Sequence, residues 1–387
     1  MRNRSLWRLV LVMTAVLSLV AAACGDDDDD DVEAGDEGTT TVADDTEDDE
    51  SSDTTEAAED GAEGESDGAA AADLKACEVT DEGGVDDRSF NQIAYAGLQR
   101  AESELGVETA LAESDSPADY GPNIEAHLGA DCDLIITVGF ALGDATAAAA
   151  AENPDVNFAI VDFAYEEPID NVLGLTFATD QAAYLAGYVA AGMTETGTIG
   201  TYGGANFPTV TIFMEGFRLG MEQYNEDNGA EVELVGWDGS DGLFTGDFTD
   251  QSKGRQTTES LLDQGADIIM PVAGPVGLGT LEALKADSGG NAKAIWVDTD
   301  GCESVPDDCQ YFLTSVQKQM DNAVFDVVES AVNGEFEGGG VYTGTLENEG
   351  VTIAPYNEFE DEVPQELKDR VDELREQIIS GELTVGG

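Results

Sequence analysis

The residues with the chemistry to hold a ligand recur in one setting, the ends of short apolar runs. Asp81 and Phe90 follow the run 76–80, Gly139-Phe140 and Asp144 follow 134–138, and Asp162-Phe163 close 157–162. Farther along stand Asn206-Phe207, Gly246-Asp247-Phe248, Ala273-Gly274 and Asp298-Thr299-Asp300, with Lys318 opening a later helical pattern. Aromatic faces stack on a flat ring, and carboxylates accept paired hydrogen bonds from sugar hydroxyls or ring N–H groups. Taken singly, each Phe is explained by core packing and each Asp by helix capping. Their convergence at strand ends is what points to a site for a flat, polar, hydroxyl-bearing molecule.

The stretch 80–92, Thr-Asp-Glu-Gly-Gly-Val-Asp-Asp-Arg-Ser-Phe-Asn-Gln, organises the rest. A strand-like run precedes it, and Phe90, Ile93, Ala94, Gly97 and Leu98 recur after it at helical spacing. Strand, glycine turn and helix open an α/β unit, in which ligands sit at strand carboxyl ends near helix N-termini. Gly83 and Gly84 let the turn bring backbone N–H groups close to a guest. The plainer alternative is a surface loop capped by Ser89 or Asp87.

Two α/β series carry these ends. Strands are expected at 76–80, 106–112, 134–138, 157–162 and 172–177, with helices at 89–105, 117–129 and 142–152, because short Val- and Ile-rich runs between helices make a buried parallel sheet. A long helix, 180–194, turns Tyr184, Leu185, Tyr188, Val189 and Met193 to one face. The second series has strands at 197–202, 231–237, 267–272 and 292–297, with helices at 208–225, 249–264 and 276–286. Then follow a strand at 311–315, a helix at 318–333, a strand at 345–353 and an exposed helix at 364–379. Two similar doubly wound lobes result, lobe 1 from 73–179 and 299–340 and lobe 2 from 180–298 and 341–387. A hinge of several crossings joins them, and such a pair closes on a ligand in its cleft.

Ahead of this lies an export signal. Arg2, Arg4 and Arg8 precede an apolar run at 9–20, and small residues lead to Cys24. The pattern resembles a bacterial lipobox, with Ala21 where Leu is usual, and predicts lipidation of Cys24; the alternative is an ordinary signal peptide with A-x-A cleavage. Residues 25–72 are Asp, Glu, Thr, Ser, Ala and Gly apart from Val32 and Val42, with no Lys, Arg or aromatic residue, a composition that cannot offset ordering entropy and reads as a disordered acidic spacer. Of the 83 acidic residues, 22 fall in that spacer, and three of the 15 basic ones fall in the signal. Residues 73–387 therefore hold 61 acids against 12 basic residues, which opposes nucleic acid or an anionic ligand as partner.

Five cysteines are present. With Cys24 lipidated, four remain where disulfides persist. Cys77 opens the first strand and Cys132 precedes the run 134–138, so adjacent parallel strands would bring them together, while Cys302 and Cys309 are close in sequence. Cys77–Cys132 with Cys302–Cys309 is the expected choice among three pairings. No C-x-x-C occurs, and the lone His127 sits in an ordinary helical pattern as a surface residue; no metal and no cofactor are expected.

Taken together, the motifs resemble those of the basic membrane protein family of lipoprotein receptors for ABC importers, whose members include purine-nucleoside receptors. The resemblance is carried by the stretch 80–92, Ala118-Asp119-Tyr120, the run 133–140, the run 158–162, and Met193-Thr-x-Thr-Gly197. In the second half it continues through Glu215-Gly-Phe217, the runs 248–254 and 264–269, Val272-Ala-Gly274, Val297-Asp-x-Asp300 and Thr314-Ser-Val-x-Lys318. It implies a type I periplasmic-binding-protein-like fold. By position, it implies that Phe90 and Phe248 sandwich the base and Asp162 binds the base edge. Asp81, Gly274, Lys318 and one of Asp298 or Asp300 would hold the ribose, and Asn91 and Phe140 would line the cleft. The implied protein is a monomeric, non-enzymatic lipoprotein on the extracytoplasmic face of the cell membrane, delivering its ligand to permease and ATPase subunits. It is not itself the ATPase, since no G-x-x-x-x-G-K-[ST] occurs. A ligand sensor of the same fold and a receptor for another flat heterocycle, such as a flavin, are the alternatives. A nucleoside hydrolase is disfavoured because no dense Asp cluster opens the domain.

Overall fold

A computed structural model describes residues 73–287 and 289–386. The signal, Cys24 and the acidic spacer lie outside the described residues.

The first series runs β1 (Lys75–Thr80), α1 (Phe90–Leu105), β2 (Glu108–Ala112), α2 (Tyr120–Gly129), β3 (Leu134–Val138), α3 (Gly143–Glu152), β4 (Asn157–Val161) and β5 (Val172–Phe177). The second runs α4 (Thr179–Met193), β6 (Thr198–Gly203), α5 (Pro208–Asn228), β7 (Glu233–Val235), α6 (Gln251–Asp263), β8 (Ile268–Val272), α7 (Leu278–Ala286) and β9 (Lys293–Asp298). The chain then adds α8 (Gly301–Ser304), β10 (Phe312–Lys318), α9 (Met320–Val332), β11 (Val341–Gly344), β12 (Val351–Ile353) and α10 (Gln365–Ile379).

Two six-stranded sheets result, β11-β5-β4-β3-β1-β2 and β12-β10-β9-β8-β6-β7. All their pairings are parallel except β12 against β10. Central strands such as β3 and β8 are buried along their whole length, as expected for a sheet covered by helices on both faces.

The crossings differ from the expected boundaries. Residues 299–340 were assigned to lobe 1, yet β10 pairs with β9 in the second sheet. Residues 341–387 were assigned to lobe 2, yet β11 pairs with β5 in the first. Helix α9 returns to lobe 1 to pack on α1. The chain thus crosses after β5, after β10 and between β11 and β12. The expected strand 345–353 is strand only at Val351–Ile353; its first residues form the turn that follows β11. An apolar strand pattern reports burial but not which of two sheets supplies the partner.

Two further expectations are corrected. His127 is buried, not on the surface, because α2 turns Tyr120, Ile124 and His127 inward at helical spacing; its Nε2 bonds the Glu78 carbonyl at 2.9 Å. Helix α10 is half-buried, with Leu367, Val371, Leu374 and Ile378 facing inward where it packs on α4. Both disulfides form as expected: Cys77 on β1 joins Cys132 ahead of the neighbouring β3 with Cα atoms 6.1 Å apart, and Cys302 joins Cys309.

Candidate functional site

The strand ends of both lobes meet around a cleft that, with the solvent space at its mouth, encloses about 610 Å³. Asp81, Phe90, Asn91, Phe140 and Asp162 reach it from lobe 1; Phe248, Gly274, Asp298 and Lys318 reach it from lobe 2 and the crossing strand.

The loop 81–89 is built by its own carboxylates. Asp87 accepts from the backbone N–H groups of Ser89, Asn91 and Gln92 at 2.9, 2.8 and 3.0 Å, satisfying donors that the start of α1 leaves free. Burial pushes Asp87 up to about 6, against those three bonds. Asn91 donates through Nδ2 to Asp81 Oδ1 at 2.9 Å. Burial raises Asp81 to about 8, the Asn91 bond lowers it, and Asp87, Asp162 and Glu82 add to the rise. Gly139 has φ +120°, and a Cβ there would lie 2.3 Å from Asp81 Oδ2. Glycine at 139 is therefore what lets the Asp81 carboxylate lie against the β3 end.

Lys318 ends β10 instead of opening a helix. It is 3% exposed, and its Nζ lies 2.5 Å from Asp162 Oδ2 and 3.8 Å from Asp298 Oδ1. The same ammonium stands 5.0, 5.2 and 5.9 Å from the ring centres of Phe90, Phe213 and Phe177, a range in which ring quadrupoles attract a cation. Burial pushes Asp162 up, while the charge and hydrogen bond of Lys318 pull it back.

The ring wall comes from both lobes. Phe140 stacks on Phe207 with centroids 5.3 Å apart, and Phe207 on Phe248 at 6.1 Å. Phe248 is held by its loop: Asp247 Oδ1 accepts from the N–H groups of Thr249 and Asp250 at 2.6 and 2.7 Å, and Oδ2 pairs with Lys253 at 3.0 Å. Those bonds hold the Asp247 carboxyl well below its ordinary range. Gly204 must lack a side chain, since a Cβ there would lie 2.3 Å from the Phe248 ring.

Asp300 does not reach the cleft. Its Oδ1 caps α8 by accepting from Cys302 N at 2.9 Å, so Asp298 is the acid that faces the guest space. Nor do Asp144 or Phe163 line it. Asp87, Glu82, Phe213 and Pro275 line it without having been picked out. Asp87 lay inside the organising stretch, but there it reads as a cap, which it also is. Phe213, on the second turn of α5, carries no signal that separates it from core.

The cleft thus offers aromatic faces, one ammonium and five carboxyl groups, from Asp81, Glu82, Asp87, Asp162 and Asp298. This set suits a flat guest with several hydrogen-bond donors and opposes an anionic one.

Comparison with known proteins gives four findings. A family model described as ABC transporter substrate-binding protein PnrA-like matches residues 74–387. The ABC transporter nucleoside-binding protein BmpA of Lactococcus lactis subsp. cremoris is 34% identical over 328 residues, covering 81% of this chain and 89% of that protein. Basic membrane protein A of Borreliella burgdorferi is 32% identical over 308 residues, covering 79% and 85%. Among solved structures, an ABC transporter solute-binding protein of Aeropyrum pernix K1 superposes with a TM-score of 0.74 at 28% identity, covering 80% of this chain and 92% of that one.

Proposed function

This chain belongs to the PnrA-like family of ABC transporter substrate-binding proteins, and on that premise we propose that it is a membrane-anchored receptor that captures a purine nucleoside and hands it to a permease. The observation that carries this reading is the meeting, in one cleft, of Phe90, Phe248 and the Asp162–Lys318–Asp298 cluster. A base lies between the rings of Phe90 and Phe248, one from each lobe, so that the bound ligand favours the closed arrangement of the lobes. Asp162 receives donors of the base edge. Asp81, Asp298, Lys318 and the backbone at Gly274 hold the ribose hydroxyls, and Asn91 and Phe140 complete the wall. The relative named for nucleoside binding supports the ligand class.

The anchor is lipidated Cys24, and residues 25–72 form the tether that lifts the two lobes off the outer membrane face. Delivery to permease and ATPase subunits follows from the family's transport role. Mass spectrometry of small molecules retained after gentle purification tests the reading. A purine nucleoside in stoichiometric amount supports it; a flavin or a sugar without a base overturns it.

A further inference from the structure

The lobes also meet beside the guest space, in contacts made by the protein alone. Ser89 Oγ, in the lobe 1 loop, donates to Asp298 Oδ2 in lobe 2 at 2.7 Å. The indole Nε1 of Trp296 on β9 donates to the Arg88 carbonyl at 3.2 Å. Arg88 Nη1 donates to the Ser304 carbonyl on α8 at 3.4 Å. Ser89 and Trp296 are buried, at 0% and 1% exposure, and none of Arg88, Ser89, Trp296 and Ser304 lines the cleft.

We propose that Arg88, Ser89 and Trp296, which do not touch the ligand, close on Asp298 and one another as a clasp that sets how long the ligand stays. Their three hydrogen bonds are among those that run from one lobe to the other, and opening the cleft requires breaking them. Buried bonds to a carboxylate are among the stronger ones, because the acceptor is charged and screened little.

Backbone strain supports the assignment. Among the described residues, six non-glycine residues have positive φ, and three of them, Arg88 (+60°), Asp162 (+64°) and Asp298 (+71°), lie where the lobes meet. A residue with a Cβ holds that conformation only where its surroundings outweigh the cost. For Arg88 those surroundings are the indole N–H on its carbonyl and the Asp87 turn before it. Asp298 accepts from Ser89 with one oxygen and faces Lys318 with the other. Ser89 is therefore a positioning residue: it aims the carboxylate that lobe 2 presents to the guest.

The ligand in this inference rests on the proposed function; the clasp itself does not. Two measurements on the full chain separate them. In stopped-flow dissociation of a purine nucleoside, Ser89→Ala and Trp296→Phe each raise the off-rate about tenfold, the size expected for one buried charge-assisted or well-aligned bond, while the on-rate changes less than about twofold. In ligand-free small-angle scattering, the Ser89→Ala/Trp296→Phe double variant has a larger radius of gyration than the wild type. Off-rates within about twofold of wild type, or unchanged ligand-free dimensions in a variant that keeps its circular-dichroism spectrum, overturn the clasp. If no nucleoside binds the wild type, the receptor reading fails and the scattering result alone decides the clasp.

Discussion

Asp162 and Asp298 end equivalent strands of the two lobes, both in left-handed backbone conformation, and both turn a carboxylate oxygen toward the same ammonium, 2.5 and 3.8 Å away. Each closes the fourth strand of its own α/β series. The ammonium belongs to Lys318, on the strand that leads into the second crossing between lobes. One cation therefore neutralises an acid from each half, and the charge balance of the site is met only with the halves together.

Replacing Lys318 with Met removes that counter-ion and leaves two buried carboxylates near one another. Loss of one partner from a buried ion pair costs about 3–5 kcal/mol. Urea denaturation of Lys318→Met should show a loss of that order together with loss of nucleoside binding; a variant as stable as the wild type contradicts the pairing.

The rings of Phe90 and Phe248 are assigned to the two faces of the base. Base–aromatic stacking is worth about 1–3 kcal/mol per base by alanine substitution, so Phe90→Ala and Phe248→Ala should each weaken nucleoside binding by that amount in calorimetry. Unchanged affinity in both variants rules out the sandwich.

Much of this site was legible in the sequence because strand ends in an α/β series can be counted. Asp81, Phe90, Phe140, Asp162, Phe207 and Phe248 at those ends line one cleft, while Asp144, Phe163 and Asp247 at the same ends do not. What was not legible depends on geometry finer than spacing. Asp298 and Asp300 are two residues apart in one Val-Asp-Thr-Asp run, and the left-handed turn at Asp298 aims one into the cleft while the other caps α8. The placement of β10 was lost because its apolar residues fit either sheet. His127 was misread because a ten-residue helix with Gly near both ends and few apolar residues hides which stripe is inward. The Ser89–Asp298 bond joins residues 209 positions apart and leaves no local trace.

Glu78 is 0% exposed on β1, and neither of its side-chain oxygens has a hydrogen-bond partner among the described residues. Burial pushes its carboxyl up to about 8 from an ordinary 4.5. A carboxyl raised in this way binds a proton more tightly folded than unfolded. It costs nothing below the unfolded value, and opposes folding increasingly as pH rises from about 4.5 to about 8. Glu78→Gln removes this titration. Its stability relative to wild type, from melts at pH 5, 7 and 8.5, should improve steadily with pH; a constant difference contradicts a buried neutral Glu78.

The two disulfides differ in reach, spanning 55 and 7 residues of sequence. On the chain-entropy account, the longer loop contributes about 4 kcal/mol and the shorter about 2 kcal/mol. Denaturation of Cys77→Ser/Cys132→Ser and Cys302→Ser/Cys309→Ser should show the first to be the larger loss. The reverse order would mean that strain or residual structure dominates.

The most direct test of the account is a calorimetric titration of the wild-type chain with a purine nucleoside, its free base and its 5′-monophosphate. With ring faces for the base, buried groups for the ribose and five carboxyl groups opposing added negative charge, the nucleoside should bind tightly, the base much more weakly and the monophosphate weakest. Equal binding of nucleoside and base, or tighter binding of the monophosphate, contradicts it.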